Sequence, residues 1–130
     1  MKLSWGEVET AVKQLAQLIQ QDGYAFDGLI AVARGGWIPT RLLASHFDNV
    51  PLLSLSPSMP FTLSHAFENG LLLDDCAESG RTLEDARHLV QPMGGRLQTA
   101  VLFTRSDSLF VPDYYVAIVD EPVQFPWRSG

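Results

Sequence analysis

Residues 71–83 read LLLDDCAESGRTL and decide the class of fold. The uninterrupted run of leucines is typical of a buried central strand in a parallel sheet. Two acids follow it directly, and a short turn of small polar residues then opens a helical pattern. Ligands of α/β proteins bind beyond the carboxyl ends of such strands, so the stretch predicts a ligand site at this edge of a sheet.

The small polar turn after the two acids is suited to a phosphate. Amides at a helix N-terminus converge on an anion, and the helix dipole favours negative charge there. Ser79 and Thr82 can add hydroxyl donors, and Gly80 lets the backbone come close. Asp74 and Asp75 can bind ribose hydroxyls directly or hold a hydrated Mg²⁺. The plainer alternative is a solvated strand end with Ser79 as the N-cap of the helix.

Helices and strands alternate on both sides of this stretch. A capping box at Ser4 and Glu7 predicts an amphipathic helix that ends near Gly23, and two more helices are predicted at residues 39–47 and 82–90. The alternation predicts a single α/β domain, residues 1–130, with a central, mostly parallel sheet flanked by helices. Strands are predicted at residues 26–33, 50–55, 71–73, 97–103 and 114–119, with 61–67 as an edge strand or hairpin arm and 121–127 irregular.

Composition excludes several classes of protein. Apolar residues make up 46% of the 130 residues, enough for a core, and the net charge of -6 argues against sequence-independent nucleic-acid binding. A single cysteine, Cys76, excludes an intramolecular disulfide framework and a multi-cysteine zinc site. The sequence has neither a membrane-spanning apolar run nor the pattern of a signal peptide, so we expect a cytoplasmic protein without a membrane partner.

Two segments resemble the ligand motifs of the type I phosphoribosyltransferases. Residues 71–83 resemble the phosphoribosyl pyrophosphate motif, with its apolar strand, two acids, two apolar residues, an acid and then Ser/Thr-Gly-x-Thr. Residues 30–36, IAVARGG, resemble the pyrophosphate loop that follows the first core strand. The resemblance extends from about residue 26 to residue 127 and implies a Rossmann-like type I fold with a reduced hood.

The resemblance assigns roles to particular residues. It implies that Asp74 and Asp75 serve the ribose hydroxyls and Mg²⁺, with phosphoribosyl pyrophosphate and a nucleobase as the substrates. The 5′-phosphate would be bound by the turn from Glu78 to the helix start, and the pyrophosphate by the earlier loop. The implied binding residues are Arg34, Gly35, Gly36, Ser79, Gly80, Arg81 and Thr82.

The acceptor side of the site resembles the xanthine-guanine and hypoxanthine branch. Members that act on 6-oxopurines usually carry an acid at the position of Glu78, where a carboxylate can exchange the N7 proton of the base. A solvent-facing loop glutamate is the alternative. Residues 112–116 and 125–127 resemble a strand and the closing Pro-Trp of this branch.

Three positions of the acceptor side leave alternatives open. Arg105 takes the place of a lysine that usually reads the exocyclic oxygen of the purine, or it is a surface arginine. Trp127 either packs the tail against the core or stacks on the base. The position of the branch's stacking aromatic is held by Pro122 or Val123, which weakens the purine assignment.

Two functions therefore follow from the sequence. The first is a Mg²⁺-dependent phosphoribosyltransferase acting on a nucleobase, with a 6-oxopurine favoured by Glu78. The second is a non-catalytic module that binds phosphoribosyl pyrophosphate or a nucleotide. Residues 51–69 favour the second, because they leave little length for the family's mobile loop and contain no lysine or arginine. Members commonly pair, so a homodimer is expected, with Trp37 or Phe61 at an interface or in the core.

Overall fold

The computed structural model describes residues 1–55, 67–77, 80–93 and 95–127 of the chain. Helices and strands alternate along them as predicted. The helices are α1 (Trp5–Asp22), α2 (Trp37–Ala44) and α3 (Arg81–Val90), and α3 continues into a 3₁₀ turn at Gln91–Met93. The strands are β1 (Gly28–Val32), β2 (Leu52–Leu55), β3 (Asn69–Leu73), β4 (Cys76–Ala77), β5 (Arg96–Ala100), β6 (Phe103–Thr104) and β7 (Ala117–Ile118).

Two parallel sheets organise these elements. The larger has the order β2-β1-β3-β5, and the smaller has the order β4-β6-β7. Every strand pair in both sheets is parallel. The leucine run lies in β3, between β1 and β5, so the predictions of a central strand and of a mostly parallel α/β fold are confirmed. None of the described helices is both long and apolar enough to cross a membrane.

Helix α1 begins and ends where its sequence signals predict. The Glu7 amide donates to the Ser4 Oγ at 3.1 Å, and the Ser4 amide donates to the Glu7 carboxylate at 3.0 Å. Gly23 ends the helix in the left-handed conformation, with φ at +75°. The capping box is therefore confirmed. One apolar face of the helix is buried, formed by Val8, Ala11, Val12, Leu15, Ala16 and Ile19.

The large sheet is covered on both faces by helices. Leu71 and Leu73 of β3 pack into the cluster that contains the buried faces of α1 and α2. Leu72 packs into a second cluster with Leu83 and the rest of the buried face of α3. Successive strand residues point to opposite faces, so a central strand covered on both sides must be apolar at every position.

The chain leaves β1 and β3 in opposite directions. From β1 it passes through α2 to β2 at one edge of the large sheet, and from β3 it passes through α3 to β5 at the other edge. The crevice beyond the carboxyl ends of β1 and β3 is therefore a topological switch point, where α/β proteins place their ligands.

The structure corrects several predicted boundaries. Residues 97–103 are not one strand, because β5 ends at Ala100 and β6 begins at Phe103 in the other sheet. The strand predicted at residues 114–119 is reduced to β7, with Tyr114 in an isolated bridge to Ala100. Helix α2 begins at Trp37, before the predicted start. The prediction for residues 61–67 falls almost wholly outside the described residues.

A cluster of hydrogen bonds fixes the amino-terminal edge of the large sheet. The Asp27 carboxylate accepts from the amides of Glu68, at 3.0 Å, and Asn69, at 2.9 Å. These bonds hold the pKa of Asp27 below its ordinary value. The buried Tyr24 hydroxyl donates to the Gly70 carbonyl at 2.7 Å, and burial raises the pKa of Tyr24 to about 12. The entry to β1 is thus tied to the start of β3.

The irregular tail is tied to the first residues of the chain. The Leu3 amide donates to the Gln124 carbonyl at 3.0 Å, and the Gln124 amide donates to the Met1 carbonyl at 2.8 Å. The Phe125 ring lies against the Trp127 ring, with centroids 4.6 Å apart and planes at 12°. The irregularity predicted for residues 121–127 is confirmed, and this tail is anchored by pairing and by aromatic packing.

Candidate functional site

A cavity of about 320 Å³ occupies the switch point beyond β1 and β3. Three features converge on this cavity. They are the pyrophosphate-loop candidate of residues 30–36, the two acids after β3 and the first turn of α3. Its lining residues are Val32, Ala33, Arg34, Gly35, Asp74, Asp75, Cys76, Ala77, Gly80, Thr82, Leu83, Val123 and Phe125. The two motifs singled out in the sequence thus meet in space.

The two acids are held rigidly at the carboxyl end of β3. Asp74 is 7% exposed and Asp75 is 1% exposed. The Asp75 amide donates to the Asp74 carboxylate at 2.8 Å, and the Cys76 amide donates to the Asp75 carboxylate at 2.7 Å. Neighbouring backbone is anchored as well, since the Asp74 amide donates to the Ala100 carbonyl at 3.1 Å. Their carboxylates are therefore oriented before any ligand arrives.

The loop after β1 lies directly against the acidic motif. A β-carbon placed on Gly36 would lie 2.4 Å from the Leu73 carbonyl oxygen and 2.7 Å from the Val32 carbonyl oxygen. Only glycine allows this approach of two backbones. Gly36 lies against the backbone of β3, while Arg34 and Gly35 line the cavity. The peptide bond between Ala33 and Arg34 is cis.

The turn predicted to bind a phosphate, residues 78–82, is called the phosphate-turn candidate, and its Gly80 precedes α3 in the left-handed conformation. Gly80 has φ at +82°, and α3 begins at the next residue. Thr82 lies in the first turn of the helix and lines the same cavity as the acids, at the end of the helix that favours an anion. Arg81 is exposed and does not line this cavity. Glu78 and Ser79 lie outside the described residues.

Arg105 lies apart from the cavity that the acids line. Its Nε is 3.1 Å from the Asp107 carboxylate, and its backbone amide donates to the Ala77 carbonyl at 3.1 Å. The role of Arg105 as a reader of the purine oxygen stays a prediction.

The tail contributes two lining residues, of which the sequence had indicated only Val123. Val123 and the buried Phe125 line the same cavity as the two acids. Trp127 packs on Phe125 and lies 5.8 Å from the Trp5 ring, centroid to centroid, so it packs the tail, as one of the two sequence alternatives expected. Val123 occupies one of the two positions proposed to replace the stacking aromatic. The abundance of aromatic residues in the tail was the available signal for Phe125.

The donor set fits a magnesium ion that is shared with a substrate. Within the described parts of the chain, no group of three or more His, Cys, Asp and Glu side chains could hold a metal. Mg²⁺ commonly takes only one or two protein carboxylates and completes its shell with substrate phosphates and water. The adjacent, buried Asp74 and Asp75 match that pattern.

Comparison with known proteins supports the resemblance over the length of the chain. No family model matches the chain. It is 25% identical over 143 residues to a xanthine-guanine phosphoribosyltransferase of Chromohalobacter salexigens, covering 98% of this chain and 83% of that protein. A second relative of that name, from Gluconobacter oxydans, is 26% identical over 150 residues, with 98% and 84% covered.

Solved structures share the fold over almost the whole chain. A purine phosphoribosyltransferase of Pyrococcus horikoshii superposes with a TM-score of 0.83 at 26% identity, covering 100% of this chain and 94% of that one. A xanthine-guanine-hypoxanthine phosphoribosyltransferase of Helicobacter pylori, at 21% identity, has the same fold, with a TM-score of 0.85 and 97% and 90% covered. The predicted type I fold, the resemblance to this family and its purine branch, and the predicted class of enzyme are confirmed.

Proposed function

Since the chain resembles the purine branch of the type I phosphoribosyltransferases in both sequence and fold, we propose that it transfers a 5-phosphoribosyl group from phosphoribosyl pyrophosphate to a 6-oxopurine. The observation that carries the proposal is the convergence of three groups on one cavity. These are the oriented pair Asp74 and Asp75, the Arg34–Gly35 loop and the N-terminus of α3. They supply, in order, partners for ribose hydroxyls, a diphosphate and a phosphate.

In the proposed reaction a ring nitrogen of the base attacks C1 of the ribose. The bond from C1 to the diphosphate oxygen breaks, and the pyrophosphate leaves with the electron pair. Arg34 and the amides of its loop hold the leaving group through charge-assisted hydrogen bonds. The acids fix the ribose, so that positioning and charge stabilisation supply most of the catalysis. Glu78 is proposed to accept the proton that the base loses.

Magnesium would be held by Asp74 and Asp75 together with substrate oxygens. When bound, it neutralises charge on the departing pyrophosphate. We also propose that the protein acts in purine salvage as a homodimer. Trp37 is a candidate for the dimer interface, because its side chain is 43% exposed, whereas Phe61, the other candidate, lies outside the described residues.

The proposal is tested by incubating the protein with phosphoribosyl pyrophosphate, Mg²⁺ and one base at a time, and measuring pyrophosphate release. The panel is guanine, xanthine, hypoxanthine, adenine, uracil and orotate, and we expect release only with the first three. Asp75→Asn should raise the KM for phosphoribosyl pyrophosphate by about ten- to a hundredfold, as expected for a weakened hydrogen bond to a charged group. Asp48→Asn, at an exposed loop position, is the control and should leave it unchanged.

The same experiment separates the two candidate functions. Binding of phosphoribosyl pyrophosphate without turnover of any base would overturn the proposal that the protein is an enzyme, and it would favour the non-catalytic binding module. The lack of lysine and arginine in residues 51–69 is the observation that keeps this second candidate. If Asp75→Asn left ligand binding unchanged, the assignment of the site itself would be wrong.

A further inference from the structure

Residues 105–110, which we call the backing segment, lie behind the phosphate-turn candidate. The segment contacts the described residues on both sides of positions 78 and 79. On one side, the Arg105 amide donates to the Ala77 carbonyl at 3.1 Å. On the other, a β-carbon placed on Gly80 would lie 2.6 Å from the Ser108 Oγ and 2.8 Å from the Phe110 Cβ. None of its residues is among those that line the cavity.

The backing segment is fixed by its own hydrogen bonds. The Ser108 amide donates to the Arg105 carbonyl at 3.2 Å, which closes a turn. The Ser108 hydroxyl donates to the Phe110 carbonyl at 2.7 Å. At the start of the segment, the Ser106 amide donates to the Asp120 carboxylate at 2.8 Å. Hydrogen bonds along its length therefore hold it in one shape against Gly80.

Phe110 joins this segment to the helix that follows the turn. The Arg87 guanidinium of α3 lies over the Phe110 ring, with its carbon 5.4 Å from the ring centroid. The ring is half-buried and packs against the core cluster that contains Leu83 of the same helix. A cation over an aromatic face is attracted by the ring quadrupole. One side chain thus contacts the last residue of the turn and the body of α3.

We propose that Phe110 is a positioning residue, which holds Gly80 and the first turn of α3 in the geometry that binds the 5′-phosphate. The inference rests on the proposed function and adds a residue that does not touch the substrate. A phosphate is bound by amides whose directions must converge, so a small shift of the turn weakens it. Of the residues in the turn, only Glu78 is proposed to contact the base, whereas Phe110 lies against Gly80 at the start of α3. Loss of Phe110 therefore weakens binding of the 5′-phosphate selectively, relative to binding of the base.

The test compares Phe110→Ala with Phe110→Tyr, which keeps the ring. Two controls are Leu109→Ala, at a neighbouring side chain that is 87% exposed, and Phe47→Ala, which removes a half-buried ring that packs on Phe26. For each variant we would measure the Kd for ribose 5-phosphate by calorimetry, the KM for phosphoribosyl pyrophosphate, the KM for the base and the kcat. Circular dichroism gives the melting temperature.

For Phe110→Ala we expect the Kd for ribose 5-phosphate and the KM for phosphoribosyl pyrophosphate to rise about tenfold. The KM for the base should stay within about twofold, and Phe110→Tyr should restore both values. Phe47→Ala should lower the melting temperature without raising the Kd for ribose 5-phosphate or the KM for phosphoribosyl pyrophosphate. If Phe110→Ala does not fold, Phe110→Leu takes its place, because it keeps apolar volume and removes the ring beneath Arg87.

Two outcomes overturn the inference and leave the proposed function intact. In the first, an active wild-type protein and Phe110→Ala share the same Kd for ribose 5-phosphate. In the second, Phe110→Ala weakens base and phosphoribosyl pyrophosphate equally, as a general loss of structure would. If the wild-type protein neither binds ribose 5-phosphate nor turns over a base, the proposed function fails and the inference fails with it.

Discussion

Among single residues, Gly36 has little freedom to change. Its α-carbon faces two carbonyl oxygens, of Val32 and Leu73, at distances that leave no space for a β-carbon. Because both neighbours are backbone, neither can rotate away as a side chain would. We therefore expect Gly36→Ala to lower the free energy of unfolding by at least about 2 kcal/mol, the scale of overpacking in a core. Urea unfolding monitored by tryptophan fluorescence measures this change.

Gly6→Ala is the matched control for that substitution. A β-carbon on Gly6 meets only the Ser4 Oγ, at 3.9 Å, in the first turn of α1. Alanine favours a helix over glycine by up to about 1 kcal/mol, so this variant should be unchanged or slightly more stable. Equal stability of Gly36→Ala and the wild-type protein would show that the loop does not lie as closely on β3 as described.

At this scale the sequence predicted the acids, the loop and a place for Val123, but it missed Phe125 as a lining residue. Asp74, Asp75 and Arg34 stand in local patterns whose chemistry can be read from neighbours within a few positions. Both Val123, indicated only by the resemblance, and Phe125 reach the cavity from an irregular tail about 50 residues away from the acids. No periodicity reports such a long-range contact, and only packing in three dimensions places them.

Among the elements, the connection from α1 to β1 depends on one charged side chain. Asp27 accepts hydrogen bonds from two amides at the start of β3, and these hold its pKa below the ordinary value of 3.8. A carboxyl whose folded pKa is lowered stabilises the fold above its unfolded pKa, and this stability is lost as the pH falls through the folded value. Asp27→Asn should therefore reduce stability at neutral pH, and the reduction should shrink below about pH 4.

The measurement is the free energy of unfolding of both proteins from pH 3 to pH 7. Glu9→Gln, at an exposed position on α1, removes the same charge and serves as the control. Its stability should follow that of the wild-type protein across the range. A difference for Asp27→Asn that stays constant with pH would mean that the ionised carboxylate is not what holds the two strands together.

The elements themselves were largely predictable, and the exception has a physical cause. The run from Leu97 to Phe103 is apolar enough for one strand, but its middle changes partners. The Val101 amide donates to the Tyr114 carbonyl, and the Leu102 amide donates to the Asp75 carbonyl. The chain thus passes from one sheet to the other without a glycine or proline. An apolar run in the sequence indicates only that its residues are buried. It does not show which of two sheets each residue joins.

At the scale of the whole molecule, the order of strands explains why the site is where it is. The strand and helix alternation predicted a parallel sheet, but it did not fix the order β2-β1-β3-β5. That order follows from α2 and α3 covering opposite faces. In this order β1 and β3 are neighbours whose connections lead to opposite edges of the sheet. The polar residues that follow both strands are therefore left at one opening.

The pairing of Leu3 with Gln124 couples the beginning of the chain to the cavity wall. Each of the two residues donates its amide into the same short ladder, next to Val123 and Phe125. An opening that exposes one amide to solvent must therefore expose the other, and a ligand that closes the wall must protect both. We expect ribose 5-phosphate and guanine together to slow hydrogen exchange at Leu3 and Gln124 by the same factor. Exchange at Ala16, inside α1, should not change.

Amide exchange followed by NMR resolves these positions. Protection of Gln124 without Leu3 would show that the wall moves independently of the first residues. Equal protection would show that the pairing of the first residues with the tail contributes to ligand affinity, although these residues lie outside the site. A substitution that weakens this ladder would then lower the fraction of molecules able to bind the ligand, and the apparent affinity would fall with it.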